Sequence, residues 1–312
     1  MAFELHPEMA PLIAARAKLP VAKDLADERR NWSAYAKANS EPPPADMGIE
    51  DRTIGARDGH GIPIRVYTPA GAGKKAAIVY FHGGGFVKGD CESSDTNGWG
   101  LADETGAVVV SVDYRLAPEH KYPTALNDCI DVLKDVHANA GACGADASRL
   151  AVVGDSAGGN LAAATALWAR DNSGPGLRCQ GLIYPCLTDR LDYDGYRRNG
   201  EAPGLTTSNM RNYWKAYLGE DMAGRSEDPL ATPLVARDLA GLPPAYILVA
   251  EYDPLIDDGV TYAAKLIAAG VETGFYRAHN MIHGFVRRRV AGPDSGKAFR
   301  AMTQFIKAKL DA

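Results

Sequence analysis

From about residue 66 onward the chain alternates short apolar runs with longer stretches in which apolar positions recur at helical spacing. The runs at 62–67, 76–81, 107–112, 150–153, 179–184, 245–250 and 271–276 have strand length, and 51–56 adds a leading one, so eight strands are predicted. Helical stretches between strands imply crossover connections, and hence an α/β fold with a mostly parallel sheet flanked by helices. Two segments interrupt the alternation. Residues 1–45 read as helical and end in Pro42-Pro43-Pro44, and residues from about 188 to 235 separate two core strands. Long insertions at the carboxyl end of such a sheet lie over its ligand site. Both segments are therefore expected to form a helical cap, with 46–312 as one main domain that contains the inserted cap segment.

The run at 150–153 stops at Gly154-Asp155-Ser156-Ala157-Gly158, and an apolar helical stretch resumes at 161–168. A buried strand turning sharply into a helix with a serine at the corner is the G-x-S-x-G nucleophile elbow. Side chains two residues either side of the serine would collide in so tight a turn. Gly154 and Gly158 remove them, and the Ser156 hydroxyl projects above the sheet. Read alone, the same turn also suits phosphate binding or plain packing.

The elbow predicts an acid and then a histidine downstream, each following a later strand. Only His279 and His283 lie beyond Ser156. His283 is the expected base, because it sits deeper in the loop after the last strand and is followed by Gly284; His279 is the alternative, otherwise a loop residue bonded to backbone. Asp253 hangs off the carboxyl end of the strand at 245–250, where catalytic groups of open α/β sheets gather, and is the expected acid. Glu251 is its fallback. Asp257 and Asp258 fall in the first turn of the next helix, where acids commonly complement the dipole. The strand at 76–81 leads into His82-Gly83-Gly84-Gly85-Phe86, an HGGG-type loop whose early amides would join the amide of Ala157 in holding a developing oxyanion. His82 precedes the elbow and is read as structural.

Together, His82-Gly83-Gly84-Gly85-Phe86, Tyr114-Arg115-Leu116-Ala117-Pro118-Glu119-His120, Gly154-Asp155-Ser156-Ala157-Gly158-Gly159, Asp253-Pro254-Leu255 and His283-Gly284-Phe285 resemble the bacterial hormone-sensitive lipase family (family IV) of α/β-hydrolases, over most of the chain. The resemblance implies an α/β-hydrolase fold under a helical cap, with Ser156, Asp253 and His283 as triad and Gly83, Gly84 and Ala157 as oxyanion donors. It further implies a carboxylic ester hydrolase acting on short-chain acyl esters without cofactor or metal, and a homodimer. One departure is Ile256, where many members carry arginine. An amidase or peptidase would use the same triad. Plant gibberellin receptors share the fold as binders, but they lack the histidine that stands here as His283.

Phe86, Leu255, Ile282 and Phe285 flank the catalytic positions and are expected to line an apolar pocket, joined by Leu205 from the inserted segment. That segment also carries Met210, Tyr213, Trp214, Tyr217 and Leu218, read as mainly sealing the cap to the core with a minority facing substrate. A formal net charge of −5 gives no sign of a nucleic-acid partner, and Arg287-Arg288-Arg289 reads as a solvated face or ion-pairing site. No run has membrane-spanning length, and the start lacks the basic and apolar regions of a secretory signal. Five cysteines at 91, 129, 143, 179 and 186 match no metal-ligand spacing and are expected to be free thiols in the cytoplasm.

Overall fold

The structure, a computed structural model, describes residues 3–219, 222 and 224–312. Among these, eight strands form one sheet: β1 (Gly48–Gly55), β2 (Gly61–Thr68), β3 (Lys75–Phe81), β4 (Val108–Val112), β5 (Ala145–Asp155), β6 (Leu177–Ile183), β7 (Ala245–Tyr252) and β8 (Thr273–Ile282). Their order is β1-β2-β4-β3-β5-β6-β7-β8. β1 and β2 pair antiparallel, β2 meets β4 antiparallel, and β3 to β8 run parallel. The helices are α1 (Ala10–Ala17), α2 (Leu25–Ala38), α3 (Asp95–Thr105), α4 (Thr124–Ala138), α5 (Ala157–Asp171), α6 (Asp194–Arg198), α7 (Thr207–Leu218), α8 (Ile256–Ala268) and α9 (Pro293–Asp311).

Helices on both faces explain why the central strands are apolar along their whole length. In β3, Ala77, Val79 and Phe81 join the core made with α4, α5 and α8, while Ile78 and Tyr80 join the core made with α3 and α9. The period of two sends each large side chain into one layer or the other. α8 shows the helical counterpart: Ile256, Tyr262, Ala263 and Leu266 are buried while Val260 and Ile267 face out. Among the described residues no helix is long and apolar enough to cross a membrane.

Two strands depart furthest from the sequence expectation. β5 starts five residues earlier than the apolar run, because Ala145–Leu150 pairs irregularly with β3 and β6 in spite of its polar composition. β8 continues past residue 276 to Ile282, and so takes in His279, which is an exposed strand residue and not a loop residue. Past residue 276 its outward side chains, Arg277 and His279, are polar, as suits an edge strand, and this disguised the end of the strand as a loop.

The segments outside the alternation pack onto this frame. Met9, Leu12 and Tyr35 enter one core layer; Met210, Trp214, Tyr217 and Leu218 of α7 enter the other. α7 begins with a capping box, in which the Thr206 hydroxyl accepts from the Asn209 amide and the Asn209 side chain accepts from the Thr206 amide. Asp257 and Asp258 clasp the inserted segment: Asp258 accepts from the amides of Leu187 (2.7 Å) and Thr188 (3.3 Å), and Asp257 from that of Gly195 (2.7 Å). Ile256 is buried beside Gly195 at the same joint.

The elbow glycines answer to the same close packing. A Cβ on Gly154 would overlap the carbonyl of Gly158, and one on Gly158 would overlap the carbonyl of Phe81 at the end of β3. Gly158→Ala is expected to lower the unfolding free energy by about 3 kcal/mol or more through overpacking against backbone. Gly141→Ala, whose Cβ meets nothing within 4 Å, should stay within about 0.5 kcal/mol of the parent. Urea denaturation of both variants makes the comparison.

Candidate active site

Ser156 stands between β5 and α5 with φ 57° and ψ −117°, a conformation costly for a residue with a side chain. Backbone bonds hold it there: its N–H donates to Ile183 O (2.9 Å) and its carbonyl accepts from Asn160 (3.1 Å) and Cys186 (3.3 Å). The hydroxyl lies 3.0 Å from Nε2 of His283, and Nδ1 of the same ring lies 2.6 Å from Oδ2 of Asp253. Asp253 is fully buried, its other oxygen accepts from the Leu255 amide (2.9 Å), and Asn199 at the end of α6 donates to the carbonyls of both Glu251 and Asp253. A segment of the insertion thus pins the loop that carries the acid. The Tyr184 ring packs 4.4 Å from the His283 ring and limits its tilt.

A family model described as alpha/beta hydrolase fold matches residues 78–287. The chain belongs to the α/β-hydrolase family. It is 39% identical over 269 residues to the carboxylesterase NlhH of Mycobacterium tuberculosis, across 86% of this chain and 84% of that protein. With the ethyl acetate hydrolase of Pseudomonas putida it shares 36% identity over 302 residues, across 91% and 92%. Its fold matches the hyperthermophilic esterase of the archaeon Pyrobaculum calidifontis with a TM-score of 0.90 at 38% identity over 99% of each chain.

The alternative pair in this α/β-hydrolase does other work. Glu251 accepts from Arg277 (2.6 Å), from the Asn280 amide (2.8 Å) and approaches Nδ1 of His279 (3.3 Å), at the edge of the sheet. Partial burial alone would raise its pKa, but the Asn280 amide and Arg277 outweigh that and hold the carboxyl below its usual range. His82 is fully buried, stacks on Tyr114 at 4.3 Å and bonds the Gly83 carbonyl through Nδ1.

The glycine loop departs from the expected donor set. The Gly83 amide donates to Oδ1 of Asp155 (3.0 Å), which Tyr80 also engages, so that amide is already committed. Among the described residues no protein acceptor meets the amides of Gly84, Gly85 or Ala157. Gly84 (φ 138°) and Gly85 (φ 63°) line the cavity in front of Ser156, and a Cβ on Gly85 would strike the Tyr213 ring. Neither the unbonded amide of Gly85 nor Asp155 as the anchor of the loop is visible in the motif, because which amide of the three is committed depends on the partner of the first.

That cavity, about 510 Å³ including its mouth, is walled by Ser156 and His283, by Arg16, Trp32 and Tyr35 from the N-terminal helices and by Leu205 and Tyr213 from the insertion. Of the five side chains expected in an apolar pocket, Leu205 alone is part of this wall. Phe86 instead stacks on Tyr217 at 3.8 Å, Leu255 is fully buried in the core beneath, and Phe285 packs edge-on to Tyr184. Ile282 borders a neighbouring apolar groove with Leu12 and Pro203. Phe86, Leu255 and Phe285, next in sequence to the glycine loop, Asp253 and His283, thus turn their side chains into the core. The arginine run is likewise no solvated face: Arg287 and Arg289 are 8% and 6% exposed. Arg289 donates to Thr96 O, lies over the Trp99 ring and faces Glu104, and burial pushes its guanidinium down to about 10.

His6, Glu8 and Asp294 come close enough to hold an ion, but both Glu8 oxygens already accept from the first amides of α9. The described thiols offer no rival nucleophile. Cys91, Cys129, Cys179 and Cys186 are free and buried; burial pushes Cys91 and Cys179 up to about 12 and the other two well upward. In native protein treated with iodoacetamide at pH 8, mass spectrometry should find these four unlabelled, and all four labelled after denaturation.

Proposed function

We propose that this protein is a carboxylic ester hydrolase that works through an acyl-serine. The observation that carries the reading is the continuous hydrogen-bonded chain Ser156 Oγ–His283–Asp253 at the mouth of a cavity. The carboxylesterase and ethyl acetate hydrolase names of its relatives support the ester as substrate. Buried Asp253 accepts the Nδ1 proton and fixes the tautomer that leaves Nε2 free to accept. Nε2 takes the Ser156 proton as Oγ bonds to the ester carbon, and the carbonyl electrons move to oxygen, where the amides of Gly84, Gly85 and Ala157 stabilise the charge. Collapse of this intermediate breaks the ester C–O bond, and His283 gives its proton to the leaving alkoxide. A water then enters, loses a proton to Nε2, attacks the acyl carbon and releases the acid with Ser156 restored. The N-terminal and inserted cap segments enclose the reaction and set the size of ester admitted.

Ser156→Ala should lower kcat by about 10⁴-fold or more, and Asp253→Asn by a similar order, with unchanged circular dichroism. Glu251→Gln should cost less than about tenfold, since its partners hold the sheet edge and not the imidazole. A folded, fully active Ser156→Ala variant, or a Glu251→Gln variant more damaged than Asp253→Asn, would refute these assignments.

Gly84→Ala should depress kcat by about 10²-fold with little change in KM, because its Cβ would overlap the Lys88 carbonyl and turn the amide away from the oxyanion. Steady-state kinetics on a soluble short-chain ester separates the two constants.

A further inference from the structure

The cavity wall carries more positive charge than a neutral short-chain ester calls for. Arg287 is 8% exposed, lies four residues past His283 and faces the cavity. Its Nη1 donates to the Ser93 carbonyl (2.9 Å) and its guanidinium rests 4.9 Å from the Trp32 ring centre, yet among the described residues no carboxylate pairs with it. An enclosed guanidinium without a counter-charge is costly. Lys88 sits on the same wall with its side chain 13% exposed; it donates to the Tyr213 hydroxyl (2.6 Å) and, more weakly, pairs with Glu28 (3.5 Å), whose side chain is 44% exposed to solvent. Arg16 stands at the rim over Tyr35, bonded to the Gly204 carbonyl, and among the described residues no carboxylate pairs with it. The acid on this wall, Asp155, is occupied by Tyr80 and the Gly83 amide. The protein as a whole carries −5, so this concentration of cations in front of the serine is local and runs against the net charge.

We propose that the ester received by this site carries a carboxylate remote from the scissile bond, bound by Arg287 and Lys88 inside the cavity and drawn in by Arg16 at its mouth. The inference rests on the esterase reading. A planar guanidinium matches a carboxylate through paired hydrogen bonds, and the aromatic rings of Trp32, Tyr35 and Tyr213 shield the contact from water. The carboxylate belongs either to the acyl part, as in a half-ester of a dicarboxylic acid, or to the alcohol part, as in an acylated hydroxy acid.

The test pairs anionic esters with neutral partners of similar size: monoethyl glutarate with ethyl hexanoate for the acyl side, and 3-acetoxypropanoate with butyl acetate for the alcohol side. At least one anionic ester should exceed its partner in kcat/KM by about tenfold or more at low salt, with the advantage shrinking as ionic strength rises. Arg287→Gln and Lys88→Gln should each reduce that ratio by about tenfold, mainly through KM. Should Arg287→Gln fail to fold, Lys88→Gln and Arg16→Gln, at more exposed positions, carry the same reading. If the neutral esters are cleaved and both anionic ones are no better, or if folded variants keep the ratio, the carboxylate site is wrong while the esterase reading stands. If none of the four is cleaved the esterase reading fails, and calorimetry with Ser156→Ala then reads the site alone: monoethyl glutarate binding no tighter than ethyl hexanoate overturns it.

Discussion

The closeness of one backbone approach governs the rest of the molecule. α5 starts directly against the ends of β3 and β5, so near that neither Gly154 nor Gly158 has room for a Cβ. This contact forces the corner residue to a positive φ, at a cost of about 1–3 kcal/mol, and the surrounding sheet supports it through bonds from Ser156 to Ile183 and Cys186. It also places the first amide of α5 beside the glycine loop that follows β3. The exposed corner of Ser156 and the unbonded amides beside it are thus two outcomes of a single packing constraint.

Buried carboxylates tie the loops to this corner. Asp155 bonds the Gly83 amide and Tyr80, which in turn receives a bond from Asn97 of α3. Asp253 joins its own loop to His283, and Asp258 holds the backbone where the inserted segment leaves the sheet. Burying such groups is costly unless they are partnered, and the partners available are loop amides and side chains from distant segments. Each acid therefore works as a joint between parts of the chain far apart in sequence, and the site inherits its rigidity from those joints.

The N-terminal helices and the insertion supply the site with what the sheet cannot. The sheet end offers the serine, the histidine and small residues; aromatic and cationic walls come from the N-terminal helices, the insertion and the turn after β8. Tyr213 rests on the bare backbone of Gly85, so the loop glycines serve both the amide geometry and the seating of the cap. The hydrogen-bonded Ser156–His283 pair and most of the cavity wall consequently reside on different elements, and the charge of the cavity can differ in sign from that of the whole protein.

Local patterns carried the strands, the elbow and the order of serine, acid and histidine, because strand burial and tight turns leave signatures within a few neighbouring residues. The placement of Asp253 directly after its strand was legible for the same reason, whereas His283, read as deep in a loop, follows β8 directly. Long-range geometry escaped it. Whether Gly83 or Gly85 presents its amide depends on Asp155, some seventy residues away in the chain. Phe86, Leu255 and Phe285 look like pocket residues beside catalytic ones but turn into the core, and β8 hid its last six residues behind the polar face of an edge strand. The arginine run illustrates the limit most clearly. As a sequence Arg287-Arg288-Arg289 is a basic spot; only the packing of α2 and α3 against it encloses two of the three, setting one over Trp99 and the other on the wall in front of Ser156. Charge is written in the sequence, but whether water or protein surrounds it is decided by tertiary contacts alone.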